Sequence, residues 1–137
     1  MKKLSNLFIA SLALFSLLIS SCEKEKPANS NAVFYIRHSY TLPPPNQGSG
    51  SGTGNIANGI VNALYKLDPY LHGSDICQNG KWSFKVESNN AAFVAAQDPK
   101  TGMVTFKPLS STATYTITIK YTCPDGTSYS ASVTITT

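Results

Sequence analysis

Three cysteines, two histidines, one mixed acidic and imidazole segment and a scatter of tyrosines are the side chains here whose chemistry could define a task. His38 and His72 come with no nucleophile-elbow, zinc-protease or paired-Cys spacing, so hydrolytic and zinc chemistry have no template. Asp68, His72 and Asp75, within Asp68-Pro69-Tyr70-Leu71-His72-Gly73-Ser74-Asp75, could ligate a cation, but loops are polar as a rule and a solvated loop is the better reading. The chain is therefore read as non-enzymatic, with no metal and no cofactor. Aromatic rings are the remaining currency of recognition, because they stack on the apolar faces of sugars and side chains. Tyr115, Tyr121, Tyr129 and Trp82 share an inward parity and are expected in the core. Tyr35, Tyr65 and Tyr70 are left as exposed candidates, and Tyr35 and Tyr70 are taken as the ligand-contact residues, with Tyr70 in a loop.

The elements that must hold these rings are strands. In Ala113–Thr122 every odd residue is apolar or aromatic and every even one polar, a period of two that buries one face. Thr127–Thr136 repeats the pattern with Tyr129, Ala131, Val133 and Ile135 inward, and Pro124-Asp125-Gly126 turns the chain between the two. Lys81–Glu87 and Met103–Lys107 alternate too, with Ala92–Ala96 as a strand between them and Asp98-Pro99-Lys100-Thr101-Gly102 as a turn. Ala32–Leu42 is a further strand, ended by Pro43-Pro44-Pro45, with His38 sharing the inward parity of Phe34 and Ile36. Gly48-Ser49-Gly50-Ser51-Gly52-Thr53-Gly54 reads as a flexible loop, and its glycine spacing fits no phosphate-binding motif. Over 55–67, Ile56, Ile60, Leu64 and Leu67 fit a helical stripe while Asn58-Gly59 fits a tight hairpin; the stripe favours one short helix.

The first 21 residues follow a different logic. Met1-Lys2-Lys3 is a charged start, Leu7 to Ile19 an apolar run, and Ser20-Ser21 a pair of small residues before Cys22. The run is shorter than the roughly 20 residues a membrane-spanning helix needs. Ile19-Ser20-Ser21-Cys22 resembles the lipobox of bacterial lipoproteins, with Ile and Ser where Leu and Gly or Ala are usual. The resemblance implies cleavage before Cys22 and a thioether-linked diacylglycerol on its sulfur. Two or three acyl chains, at about 0.8 kcal/mol per buried methylene, would make the anchor stable. Cleavage removes Lys2 and Lys3, so the formal charge falls from +4 to +2. The remaining cations are scattered, which argues against a nucleic-acid footprint. Residues 22–30 read as a lipidated flexible tether and 31–137 as the domain; Glu23-Lys24-Glu25-Lys26 also resembles signals that send some lipoproteins to the outer face of the outer membrane.

With Cys22 acylated, Cys77 and Cys123 are an even pair in an exported protein, and a disulfide is expected. Asn79-Gly80 suits a two-residue hairpin that would set Cys77 across from Trp82, while Cys123 keeps the inward parity of Tyr121. A sandwich whose disulfide packs on Trp is similar to immunoglobulin-like domains. Trp82 to Thr136 also resembles the bacterial immunoglobulin-like modules of surface proteins, in its strand, Asp98–Thr105 turn and strand, and Thr-rich hairpin. The resemblance implies an all-β antiparallel sandwich of about seven strands. The function expected is that of a lipid-anchored binding or adhesion module of the outer membrane, displayed at the cell surface, with a protein or polysaccharide ligand. The alternative is a periplasm-facing accessory subunit that acts through strand addition at an exposed edge.

Overall fold

The computed structural model of the chain describes residues 31–137. The expected leader 1–21, the expected lipidation at Cys22 and the expected tether 22–30 lie outside the described residues. Among the described residues eight strands follow one another: β1 (Val33–Thr41), β2 (Ser49–Thr53), β3 (Leu64–His72), β4 (Lys81–Ser88), β5 (Phe93–Gln97), β6 (Val104–Pro108), β7 (Thr114–Thr122) and β8 (Ser128–Thr136). They form two antiparallel sheets, ordered β2-β1-β3-β6-β5 and β4-β7-β8. With β2 set aside, this is the strand order that defines a constant-type immunoglobulin sandwich. The expected all-β antiparallel sandwich is thus the fold, with one strand more than the seven expected.

Alternation fixes which faces meet. Tyr115, Ile117 and Ile119 of β7 and Val133 and Ile135 of β8 pack inward against Ile36, Tyr65, Leu67, Val104 and Phe106 of the larger sheet. Each such side chain contributes about 1.5–3 kcal/mol by leaving water. Outward on β7 and β8, Thr116 pairs with Thr134 and Thr118 with Ser132 through their hydroxyls, as cross-strand partners do. Tyr115, near the start of β7, donates its hydroxyl proton to Ala92 O at 3.0 Å and accepts from Ser110 N–H at 3.3 Å. These bonds tie the start of β7 to the β4–β5 and β6–β7 connections.

Three expectations are corrected. The Gly-Ser segment is no loop but the edge strand β2, paired with β1 from Arg37↔Thr53 to Thr41↔Ser49. Its glycines face inward, where β1 side chains fill the space: a Cβ on Gly50 would lie 2.5 Å from the Tyr40 ring, and one on Gly52 3.1 Å from the His38 ring. Bare backbone covered by an aromatic ring is a recognised way to hold glycine in a strand.

Second, no helix forms over 55–67. Ile56 bridges to Ile135 instead, its N–H donating to Thr134 O and its C=O accepting from Thr136 N–H, which closes the outer edge of β8. From Leu64 the chain is strand, and Ala63, Tyr65 and Leu67 are buried while Leu64 and Lys66 are exposed: the period is two, not 3.6. Pro69 sits within β3 without breaking a ladder, because β6 pairs with β3 only from Tyr65 to Leu67.

Third, the chain bends at Gln78-Asn79 and Asn79-Gly80 forms no hairpin, so β4 begins only at Lys81. The Tyr121 hydroxyl takes over the turn's hydrogen bonds, accepting from Gly80 N–H at 2.9 Å and donating to Cys77 O at 3.0 Å. The expected disulfide is present between Cys77 and Cys123, with Cα atoms 5.9 Å apart. It joins the β3–β4 loop to the end of β7, next to Trp82, whose ring lies 4.7 Å from Tyr121 and 6.1 Å from Phe34.

Candidate functional site

Pairing of β1 with β3 decides what the outer face of the larger sheet displays. Odd residues of β1 and even residues of β3 face solvent, and their register sets Val33 beside His72, Tyr35 beside Tyr70, and Arg37 beside Asp68. These partners interact. The Tyr35 and Tyr70 rings are 4.8 Å apart and tilted by 31°, and the Tyr70 and His72 rings are stacked 6.3 Å apart at 26°. The Arg37 guanidinium lies 5.3 Å from the Tyr70 ring centroid and forms an ion pair with Asp68. A cation over an aromatic face is worth about 0.5–1 kcal/mol at an exposed site, and a surface ion pair about as little.

Tyr35 is 39% exposed, and Val33 beside it more so. What the strip offers is an aromatic surface with a donor and an acceptor at its border. Arg37 has five N–H donors, of which the ion pair engages few, and the paired charges cancel. An uncharged ligand with a flat apolar face and hydroxyls at its rim matches that set.

The expected contact residues Tyr35 and Tyr70 are thus brought together, although Tyr70 is on β3 and not in a loop. Tyr65, the third exposed candidate, is a correction: it is 1% exposed, its hydroxyl accepting from Ile60 N–H at 2.7 Å, and burial raises its pKa. The Asp68, His72 and Asp75 constellation does not assemble, because Asp68 and His72 lie on β3 with Asp68 turned to Arg37. Among the described residues no three His, Cys, Asp or Glu side chains converge to hold a metal ion. Arg37 is the contributor that sequence reasoning overlooked. Its shared parity with Tyr35 on an alternating strand was the available signal.

His38 takes the inward position expected of it, with a buried Nδ1 that has no hydrogen-bond partner. Burial pushes its pKa below the ordinary 6.5. The fold therefore favours the neutral ring. As pH falls through 6.5 the unfolded chain binds a proton that the folded chain refuses, so stability drops until the lower folded-state pKa is passed. His38→Gln should flatten this part of the stability profile, read as the urea midpoint against pH. Parallel profiles for the two proteins would contradict it.

An open depression of about 290 Å³ lies away from the strip, lined by Asn79, Lys81, Thr122, Cys123 and Pro124. It has one cation and no aromatic ring, and falls just short of the roughly 300 Å³ at which small-molecule pockets begin. Comparison of the chain with protein-family models, curated proteins and solved structures finds no match.

Proposed function

We propose that this protein is a lipid-anchored, non-enzymatic binding module of the bacterial outer membrane, held by Cys22 and presenting the Tyr35–Tyr70 strip to a polysaccharide. The observation that carries the reading is the side-by-side register of an exposed tyrosine, Tyr35, and a half-buried one, Tyr70, on the outer sheet face, bordered by the Arg37–Asp68 pair. Aromatic planes stack on the C–H face of a pyranose, and the neighbouring donor and acceptor bind its hydroxyls. A sheet face keeps its rings in place without a loop having to order on binding, which lowers the entropic cost of capture.

Anchoring rests on the lipobox resemblance at Ile19-Ser20-Ser21-Cys22. A nine-residue tether can reach roughly 30 Å when extended. It joins the domain at Asn31, at the end of the sandwich that carries the β3–β4 loop and the disulfide. Cys22→Ser is expected to move the chain from the membrane fraction to the soluble one and to abolish labelling by a fatty acid.

The location is tested by treating intact cells with a non-penetrating protease while following an epitope after Thr137. Loss of the epitope supports a surface binding module. Protection in intact cells with cleavage after lysis contradicts surface display and turns the reading towards a periplasm-facing accessory subunit.

A further inference from the structure

The two sheets have four edges, and three of them are defended. The Ile56–Gly59 segment covers β8 through hydrogen bonds to Thr134 and Thr136. The exposed positions of β4 carry Lys81, Lys85 and Glu87, with Lys85 and Glu87 paired. β2 is a short Gly-Ser strand without a large side chain. Charges, brevity and coverage are the means by which natural sheets avoid further pairing.

β5 is the exception. From Ala91 to Gln97 the chain has no charge, no Pro and no Gly, which is the composition of a strand prone to pair. Three of the exposed large hydrophobic residues gather there: Val94 at 57%, Phe93 at 37%, and Leu109 at 41%, whose N–H donates to Ala92 O. Leu109 N–H to Ala92 O and Asp98 N–H to Met103 O also fix the phase of the β5–β6 ladder. Ala92, Val94, Ala96 and Asp98 turn their backbone groups to β6, so Phe93, Ala95 and Gln97 turn theirs to the open edge.

We propose that this edge pairs with the β5 of a second copy of the chain, antiparallel about a two-fold axis at Ala95. The register is self-complementary. Phe93 falls opposite Gln97, Val94 opposite Ala96, and Asp98 opposite Ala92, so no like charges meet and every edge-facing N–H and C=O of these residues gains a partner. β5 carries no charge to select a charged foreign strand, whereas its own copy matches it in length, apolarity and phase. The Asn31 ends of the two copies then lie at opposite ends of the joined sheet. The proposal does not depend on the polysaccharide reading, since the Tyr35–Tyr70 strip lies across β1 and β3.

The test is cysteine cross-linking of the purified full-length chain in detergent. Opposed Val94 and Ala96 would be a non-hydrogen-bonded pair with Cα atoms about 4.5 Å apart, within disulfide range. Val94→Cys/Ala96→Cys should become mostly covalent dimer under mild oxidation, and Val94→Cys alone should not. Adding Ala95→Pro, which removes an N–H pointing to the open edge, should return the double variant to monomer with its Trp82 fluorescence unchanged. If the proline disturbs the fold, Ala96→Lys serves instead, with sedimentation showing a monomer where the unmodified chain is a dimer. The proposal is overturned by a double variant that stays monomeric while its thiols alkylate freely, or by cross-linking equal in Val94→Cys alone. A cross-link in crude membranes to a chain of different mass would give the edge to another protein and overturn it too.

Discussion

Replacing Cys77 and Cys123 together by Ala is expected to cost about 4 kcal/mol of unfolding free energy. The bridge closes a loop with a sequence separation of 46, and in the chain-entropy account a loop of that size restricts the unfolded chain by about this amount. The packing around it adds to the loss, because Cys123 is buried with Tyr121 and Tyr129 while Cys77 and Trp82 close over them. Near the melting point each kcal/mol shifts Tm by about 4–8 °C in a domain of this size, so a drop of about 20 °C follows. Reductant should lower the Tm of the unmodified protein by a similar amount and leave the double variant unmoved. A change under about 1 kcal/mol would mean that the β3–β4 loop is held by the Tyr121 hydroxyl alone.

Gly102→Ala is expected to be nearly as damaging, at about 3 kcal/mol. Gly102 ends the β5–β6 turn at φ +76°, a backbone region in which a Cβ costs about 1–2 kcal/mol. The added methyl would also stand 2.3 Å from Trp82 Cδ2 and 2.6 Å from its Cε3. The indole has little freedom to retreat, since Tyr121 and Phe34 contact it, and overpacking of this kind costs about 1–3 kcal/mol. Gly126→Ala is the matched control: its φ is +88°, but nothing lies within 4 Å of the added carbon. Urea unfolding should therefore show Gly102→Ala losing about twice as much stability as Gly126→Ala, with altered fluorescence from the single Trp. Equal losses would show that the Trp82 packing yields without cost.

The parts of the fold that local pattern could reveal are those whose pairing is local. β7 and β8 join through a short turn and alternate strictly, so their inward residues from Tyr115 to Ile135 could be read directly. β3 could not, because Leu64 is apolar yet exposed and Pro69 lies within the strand; both are tolerated only through the neighbours that β1 and β6 supply. β2 was hidden for a related reason. Its glycines are strand residues only because Tyr40 and His38 of another strand cover them, and a window of Gly and Ser carries no sign of that cover. The candidate site shows the same division: the outward position of Tyr35 could be inferred from parity, but Tyr70, read as a loop residue, lies half-buried on β3, and its adjacency to Tyr35 depends on a register between strands about 30 residues apart. Arg37 shares the parity of Tyr35 on β1, but its pairing with Asp68 depends on the same register.

Binding of polysaccharide by the Tyr35–Tyr70 strip is decided by retention of the purified chain on immobilised neutral and acidic polysaccharides, measured against the Tyr35→Ala/Tyr70→Ala variant. Retention on a neutral polysaccharide is expected, with a loss of at least about tenfold in the variant, the step of about 1.4 kcal/mol that follows when a stacked aromatic is removed. Both side chains lie on the outer face, so the variant should keep the unfolding free energy of the parent to within about 1 kcal/mol. Retention that survives the double substitution, or no retention of the folded parent on any of these matrices, would contradict the claim.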